Sequence, residues 1–203
     1  MRHATRRRWS HLLLAALLAL ALPPAAPAEE VPPAPLVLAV RAPSTLSYHL
    51  DHTLHDVVGV SRKVDGHARL PSRGAVEVEV RARVDGFDSG NSSRDATMLE
   101  VTAAGRFPEV RLTATGRFAP PAAYPATVEV TLTGSLDFHG LTRPVTIPAH
   151  VSFLGPSTAS VTATFAISLK EFEVVPPSLL FMSIKDKAVI TAALTLSATP
   201  PSP

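Results

Sequence analysis

The sequence predicts an all-β domain of about eight antiparallel strands with one short helix. Three features of the 203-residue chain point that way. Apolar and polar residues alternate with period two in runs near ten residues long, the pattern of strands with one face in an apolar interior and one in water. The chain has no cysteine, so an exported product must stand on its hydrophobic core rather than on disulfides. No internal repeat or composition shift divides the central region, and its length suits one domain.

The ends of the chain set its charge. Arg2, Arg6, Arg7 and Arg8 precede an apolar run from Leu12 to Leu22, too short to span a bilayer as a helix. Pro23 and Pro24 break it, and Ala26-Pro27-Ala28 offers the small-x-small pattern of a cleavage site. Residues 1–28 are therefore expected to be a signal peptide, and the mature chain to begin at Glu29. Four of the 19 Lys+Arg lie in that segment, leaving 15 against 17 Asp+Glu, a formal −2. No basic patch for nucleic acid survives. Residues 29–43 form a Pro-rich leader, 44–198 the folded domain and 199–203 (TPPSP) a disordered tail. Without cysteine there is no lipoprotein anchor, and no second apolar run is long enough for a spanning helix. The expected location is the periplasm or the medium.

Along the domain, Leu46, Tyr48 and Leu50 mark a short strand, and Val57 to Leu70 a longer one. Val76, Val78, Val80, Ala82 and Val84 alternate with Glu77, Glu79, Arg81 and Arg83, whose mixed charges suit a solvated face. A helix is expected over about 93–103, with Ser93 as N-cap and Asp95 in the first turn. Val110, Leu112 and Ala114 follow. Val128, Val130, Leu132, Leu136 and Phe138 keep one parity through Gly134, which reads as a kink or bulge. After a His139-Gly140 turn come Val145, Ile147, Ala149, Val151 and Phe153, then Ala159, Val161, Ala163, Phe165, Ile167 and Leu169. Ala188, Ile190, Ala192, Leu194 and Leu196 close the series.

Strands this long favour a barrel over a sandwich. The inward set is mostly Val, Ala, Ile and Leu, and Trp9 lies in the signal segment. A barrel lined by small residues leaves an elongated apolar cavity, while opposing walls in a sandwich simply pack together. Composition alone leaves the two open.

Three stretches resemble the YceI-like family of periplasmic lipid- or polyisoprenoid-binding proteins. Asp88-Ser89-Gly90-Asn91-Ser92-Ser93-Arg94-Asp95 matches its turn, with Arg94-Asp95 intact and Phe107-Pro108 standing for a contracted later element. Leu132 to Val145 matches its "G-x-L-x-x-H-G-x-T-[KR]-P-V" hairpin. Phe165 to Phe172 with Asp186 matches a third, although Glu171-Phe172-Glu173 stands where the family has Asp-Phe-Gly, which leaves the 170–185 loop open. His55, Gly59 and Gly66 resemble a looser early element. The resemblance spans about 44–198. It implies an eight-stranded lipocalin-like barrel with a long lipid chain inside.

The ligand wall expected from parity and resemblance is Val78, Val80, Val84, Leu112, Val130, Leu132, Val145, Ile147, Val151, Ala163, Phe165, Ile167, Ile190, Ala192 and Leu194. Arg94 and Arg143 are candidates for a charged head group, since guanidinium suits phosphate; Arg94 paired with Asp95 as a turn brace is the structural alternative. His49, His52 and His55 recur every three residues, but on an extended strand His49 and His55 are about 20 Å apart, which no single Zn²⁺ bridges. No metal and no cofactor are expected. Catalysis finds no support: there is no G-x-S-x-G elbow, no thiol and no phosphate-cradling glycine loop. An outer-membrane barrel would also alternate, but aromatics are only 5%, too few for interfacial girdles. The expected partner is a long-chain lipid or polyisoprenoid; a ligand-free stress or interaction module of the same fold is the alternative, and a homodimer is left open.

Overall fold

The computed structural model describes residues 35–52, 56–176 and 184–198, without the side chain of His52. The signal segment, His55 and the tail at 199–203 lie outside the described residues. Ten strands follow in chain order: β1 (Leu36–His52), β2 (Val57–Ser61), β3 (Val64–Leu70), β4 (Ala75–Arg83), β5 (Phe87–Asp88), β6 (Glu109–Arg117), β7 (Ala126–Phe138), β8 (Leu141–Gly155), β9 (Thr158–Ser168) and β10 (Ile184–Ala198). One helix, α1 (Ser92–Val101), lies between β5 and β6. The sheet order β10-β9-β8-β7-β6-β4-β3-β1 closes on itself through β1–β10, while β2 and β5 extend from β1. The result is a closed eight-stranded antiparallel barrel with two extra strands.

Alternation decides which face turns inward, because side chains at i and i+2 share a face. Val80 and Ala82 of β4, Ala114 of β6, Val130, Leu132 and Leu136 of β7, and Ile147, Ala149 and Phe153 of β8 are buried. Ala159 and Ala163 of β9 and Ala188, Leu194 and Leu196 of β10 complete that set. The outward parity carries ion pairs across neighbouring strands: Arg69 to Glu77 at 2.8 Å, Arg81 to Asp65 at 3.0 Å and Arg111 to Glu79 at 2.9 Å. Among the described residues no helix is long and apolar enough to cross a membrane.

Several local expectations are corrected. β1 begins at Leu36, well before the short strand expected at Leu46 to Leu50 and inside the stretch expected as a leader, because Leu38 to Arg41 pair with Thr195 to Ala198 and Leu36 to Ala39 pair with β3. A register shift between Arg41 and Thr45 is filled by Ser44, whose hydroxyl accepts from Thr195 N–H (2.9 Å) and donates to Arg41 C=O (2.5 Å). The single strand expected over 57–70 is two, divided at Arg62-Lys63, so that β2 runs off to pair with β5 while β3 stays in the barrel. Gly134 is neither kink nor bulge: β7 keeps register through it on both sides. A Cβ there would lie 2.5 Å from Ala114 Cα and nearer still to Thr113 O, so close strand approach explains the glycine. The β7–β8 turn is His139-Gly140 with φ of 51° and 76°, the left-handed pair that a two-residue hairpin requires. Helix α1 is capped by Asn91, not Ser93; its side-chain oxygen accepts from Arg94 N–H, which satisfies one of the helix's free N-terminal donors.

Candidate functional site

Inward parity around a closed ring places one apolar surface about the barrel axis, and small side chains leave it unfilled. The space measures about 430 Å³. Val78, Val80, Val84, Leu112, Val130, Leu132, Ile147, Val151, Ala163, Phe165, Ile167, Ile190, Ala192 and Leu194 all line it, as does Arg94. Ala163 and Ala192 sit directly opposite each other on β9 and β10, so two methyl groups meet where larger side chains would close the bore.

Two expected wall residues do not line this cavity. The β8–β9 ladder stops at Ala149↔Ala163, and beyond it the strands part into a seam. Arg143 and Val145 face that seam with Glu171, Phe172 and Asp186. Parity placed both inside; Arg143 is instead tied into the seam, while Val145 keeps its apolar packing against the clusters that hold Ile147 and Leu136. Arg143 Nε donates to Glu171 C=O at 2.8 Å, and Val145 packs against the core cluster around Leu136 and Phe172.

The seam is closed by the short 3-10 turn Lys170–Phe172. Phe172, 1% exposed, fills it. His139 Nδ1 donates to Phe172 C=O at 2.8 Å; a carbonyl only accepts, so the proton is on Nδ1. Asp186 accepts from Ser168 Oγ (2.7 Å) and Lys170 N–H (2.8 Å). Those two hydrogen bonds, Ser168 first, hold its carboxyl below the usual carboxylate range. Glu173 occupies the left-handed region at φ 55°, where the Gly of Asp-Phe-Gly would sit without strain.

At the α1 end the cavity has a polar rim. Arg94 and Asp95 do not pair with each other; both brace the turn through Ser89. Arg94 donates from Nε to Ser89 Oγ (2.9 Å) and from Nη2 to Ser89 C=O (2.8 Å). Asp95 Oδ1 accepts from Ser89 N–H (3.1 Å) and Oγ (2.5 Å). Two of Arg94's five N–H groups are thereby used, and the rest of its guanidinium is held at the cavity wall. Tyr48 joins it. Its ring lies over Gly59, where a Cβ would overlap it, and 5.6 Å from the ring of Phe87. Burial, then the charge of Asp95, raises the Tyr48 phenol above its ordinary value, with Arg94 opposing, so the hydroxyl stays a donor at neutral pH. Thr97, Met98 and Val101 of α1, and Thr102 just past its end, also reach the cavity. Tyr48, Thr97 and Thr102 were not among the expected site residues. The i, i+3, i+7 spacing of Arg94, Thr97 and Val101 puts them on one helix face, which was the available signal.

On the outer surface His49 Nε2 lies 3.1 Å from Asp56 Oδ2, and one ligand atom each from His49, Asp51 and Asp56 falls within 4.8 Å of the others. Lys185 already neutralises Asp51 at 3.1 Å. The histidine spacing expected to keep a metal apart involves His52 and His55, whose side chains lie outside the described residues.

Fold and cavity together define a closed antiparallel barrel with an apolar interior and a polar rim. A family model for the YceI-like domain matches residues 39–196, and the chain belongs to that family. A polyisoprenoid binding domain from Saccharophagus degradans, implicated in plant cell wall breakdown, is similar at 15% identity and a TM-score of 0.66, over 81% of this chain and 99% of that one. Burkholderia cenocepacia BcnA is similar at 19% identity and a TM-score of 0.62, over 75% of this chain and 95% of that one. At these identities the likeness is one of fold. No curated protein sequence matches.

Proposed function

We propose that this protein is exported and holds a long-chain isoprenoid or a similar amphiphile in its barrel, tail inward and head at the rim beside Arg94 and Tyr48. The single observation that carries the reading is the apolar space of about 430 Å³ along the barrel axis, in a protein whose outward parity carries ion pairs. A lipid-facing wall would pay heavily for those charges; a water-facing wall does not. The similar Saccharophagus degradans domain is described as polyisoprenoid binding, and residues 1–28 have the charge, length and cleavage pattern of an export signal.

Each methylene moved from water into such a space contributes roughly 0.8 kcal/mol, so a chain of even modest length outweighs the cost of ordering it. The guanidinium of Arg94 and the phenol of Tyr48 are donors only or donors first, which suits an oxygen-bearing head group. Titration of the mature protein with farnesol and with farnesyl diphosphate tests this. Both bind, and Arg94→Ala weakens the diphosphate about tenfold, the size of one charge-assisted contact, while leaving the alcohol unchanged. Binding of neither ligand, with a folded protein, supports the ligand-free interaction module instead.

A further inference from the structure

The outer face of the β1–β2 hairpin carries side chains that the cavity leaves unused. Tyr48 and Leu50 of β1 line the cavity, so parity turns His49 and Asp51 outward. The chain returns through β2 with His49↔Val58 and Leu50↔Val57 in register, and one step further along stand Asp51 and Asp56. On the other flank the β1–β10 register slips between Leu50 and His52, which leaves Asp51 beside Lys185 rather than opposite a ladder partner. The outcome is a compact group. His49 Nε2 lies 3.1 Å from Asp56 Oδ2 and 4.0 Å from Asp51 Oδ1, and one ligand atom from each of the three residues falls within 4.8 Å of the others.

We propose that His49, Asp51 and Asp56 form a surface site for a divalent transition-metal ion of the Zn²⁺ type, assembled by the β1–β2 hairpin. The donor set decides the class of ion. One imidazole nitrogen with two carboxylate oxygens suits Zn²⁺ and its first-row neighbours, whereas Ca²⁺ and Mg²⁺ take oxygen ligands. Ions that seek thiolate find no cysteine in the chain. Ligand atoms about 2.0–2.1 Å from Zn²⁺ at tetrahedral angles stand roughly 3.4 Å apart, a separation that the 3.1 and 4.0 Å distances straddle. Two exposed carboxylates alone would make no site, because water solvates them; the imidazole within reach of both turns the pair into a ligand set. Three protein ligands, all open to solvent, leave a fourth position for water. Lys185 is the competitor. Its ammonium holds Asp51 Oδ2 at 3.1 Å and, by that hydrogen bond first and its charge second, keeps the Asp51 carboxyl below its ordinary range. A metal ion takes its place while the exposed lysine swings into water. Histidines at three-residue spacing on a straight strand offer no common centre; the hairpin supplies one that uses only the first of them.

The test takes the untagged mature protein, stripped of metal with a chelator, and titrates it with Zn²⁺ alone against a chromophoric zinc indicator. One Zn²⁺ binds per chain, and about a hundredfold excess of Ca²⁺ or Mg²⁺ leaves it in place. His49→Ala and Asp56→Asn, both at exposed positions, each weaken binding about tenfold or more, since even the loss of an outer-shell partner costs that much. Lys185→Gln tightens it about two- to fivefold, the worth of an exposed ion pair. Absence of saturable Zn²⁺ binding overturns the site, as does unchanged affinity in both ligand variants when they are folded. Binding that survives His49→Ala but is lost in a His52→Ala, His55→Ala variant also overturns it, because the metal then rests on other histidines. Weaker binding by Lys185→Gln would contradict the lysine's role as competitor. Farnesol titration of the same variants stays at the parent value, since the triad and the cavity lie on opposite faces of one wall.

Discussion

Between β7 and β8 the ladder runs unbroken from Ala126↔Phe153 to Phe138↔Leu141, whereas β8 and β9 part after Ala149↔Ala163. In the first wall the two strands stay paired in register over the whole stretch, and side chains have only to fill the interior. In the seam, side chains do the closing: Phe172 fills it, Arg143 ties β8 to Glu171, His139 ties the hairpin to Phe172, and Asp186 anchors the turn to β10. The comparison teaches that the residues by which the family is recognisable at His139-Gly140, Arg143 and Asp186 serve the seam. Here His139, Arg143 and Asp186 each hold the Lys170–Phe172 turn rather than line the cavity.

If the seam depends on its plug, removing the plug has the largest effect. Phe172→Ala should cost about 4 kcal/mol, as for other fully buried aromatics cut to Ala. Urea unfolding reads that loss. A cost under about 1 kcal/mol would mean that the strands close the seam without it.

The wall fails by crowding instead. Gly134→Ala places a Cβ against Ala114 Cα at 2.5 Å and against Thr113 O. It should lower stability by roughly 2–3 kcal/mol, the usual scale of overpacking. Amide exchange should then rise along β6 and β7 and stay unchanged in the seam, which separates the two regions in one experiment.

Glu173→Gly sharpens the comparison in the opposite direction. Its φ of 55° is unfavourable for any residue with a Cβ, and glycine relieves it by about 1 kcal/mol. An upward shift of the unfolding midpoint checks this; no shift, or a loss, would mean that the Glu side chain compensates the strain.

The smallest effect is the acid sensitivity of the seam. The folded Asp186 carboxyl is depressed by Ser168 and Lys170, so its contribution is fully present above the unfolded value of about 3.9. It is lost as pH falls from there through the lower folded value. Asp186→Asn should therefore flatten the part of the stability–pH curve below about pH 4 and leave the neutral region parallel to the parent protein. If the two curves keep the same acid limb, Asp186 is not the group that titrates.

Period-two alternation made the wall legible, because parity is a property of the strand itself. Val80, Leu132, Ile147 and Leu194 could be placed inside from their neighbours alone, whereas composition left a cavity and a packed interior open, and only the family resemblance pointed to the cavity they line. Parity says nothing about whether a partner strand continues alongside, and there the reading failed: Val145 and Arg143 have inward parity but lie where β9 has left. The break at Arg62-Lys63 was hidden for a similar reason, since the apolar pattern of 57–70 does not reveal that β2 pairs with β5. The rim was only half visible. Arg94 stood out by charge, but Tyr48 was read as one more inward strand residue, and its position over Gly59 and beside Phe87 depends on contacts distant in sequence.

The central claim is that the interior is a lipid site rather than a packed or empty core. Mass spectrometry of an organic extract from the mature protein, purified without detergent from its native cell envelope or medium, tests it most directly. The account predicts one dominant prenyl-chain species in near-equimolar amount, absent from an extract of an Ala163→Phe, Ala192→Phe variant that folds normally. An extract free of lipid, from protein that also fails to bind any added isoprenoid, would contradict it.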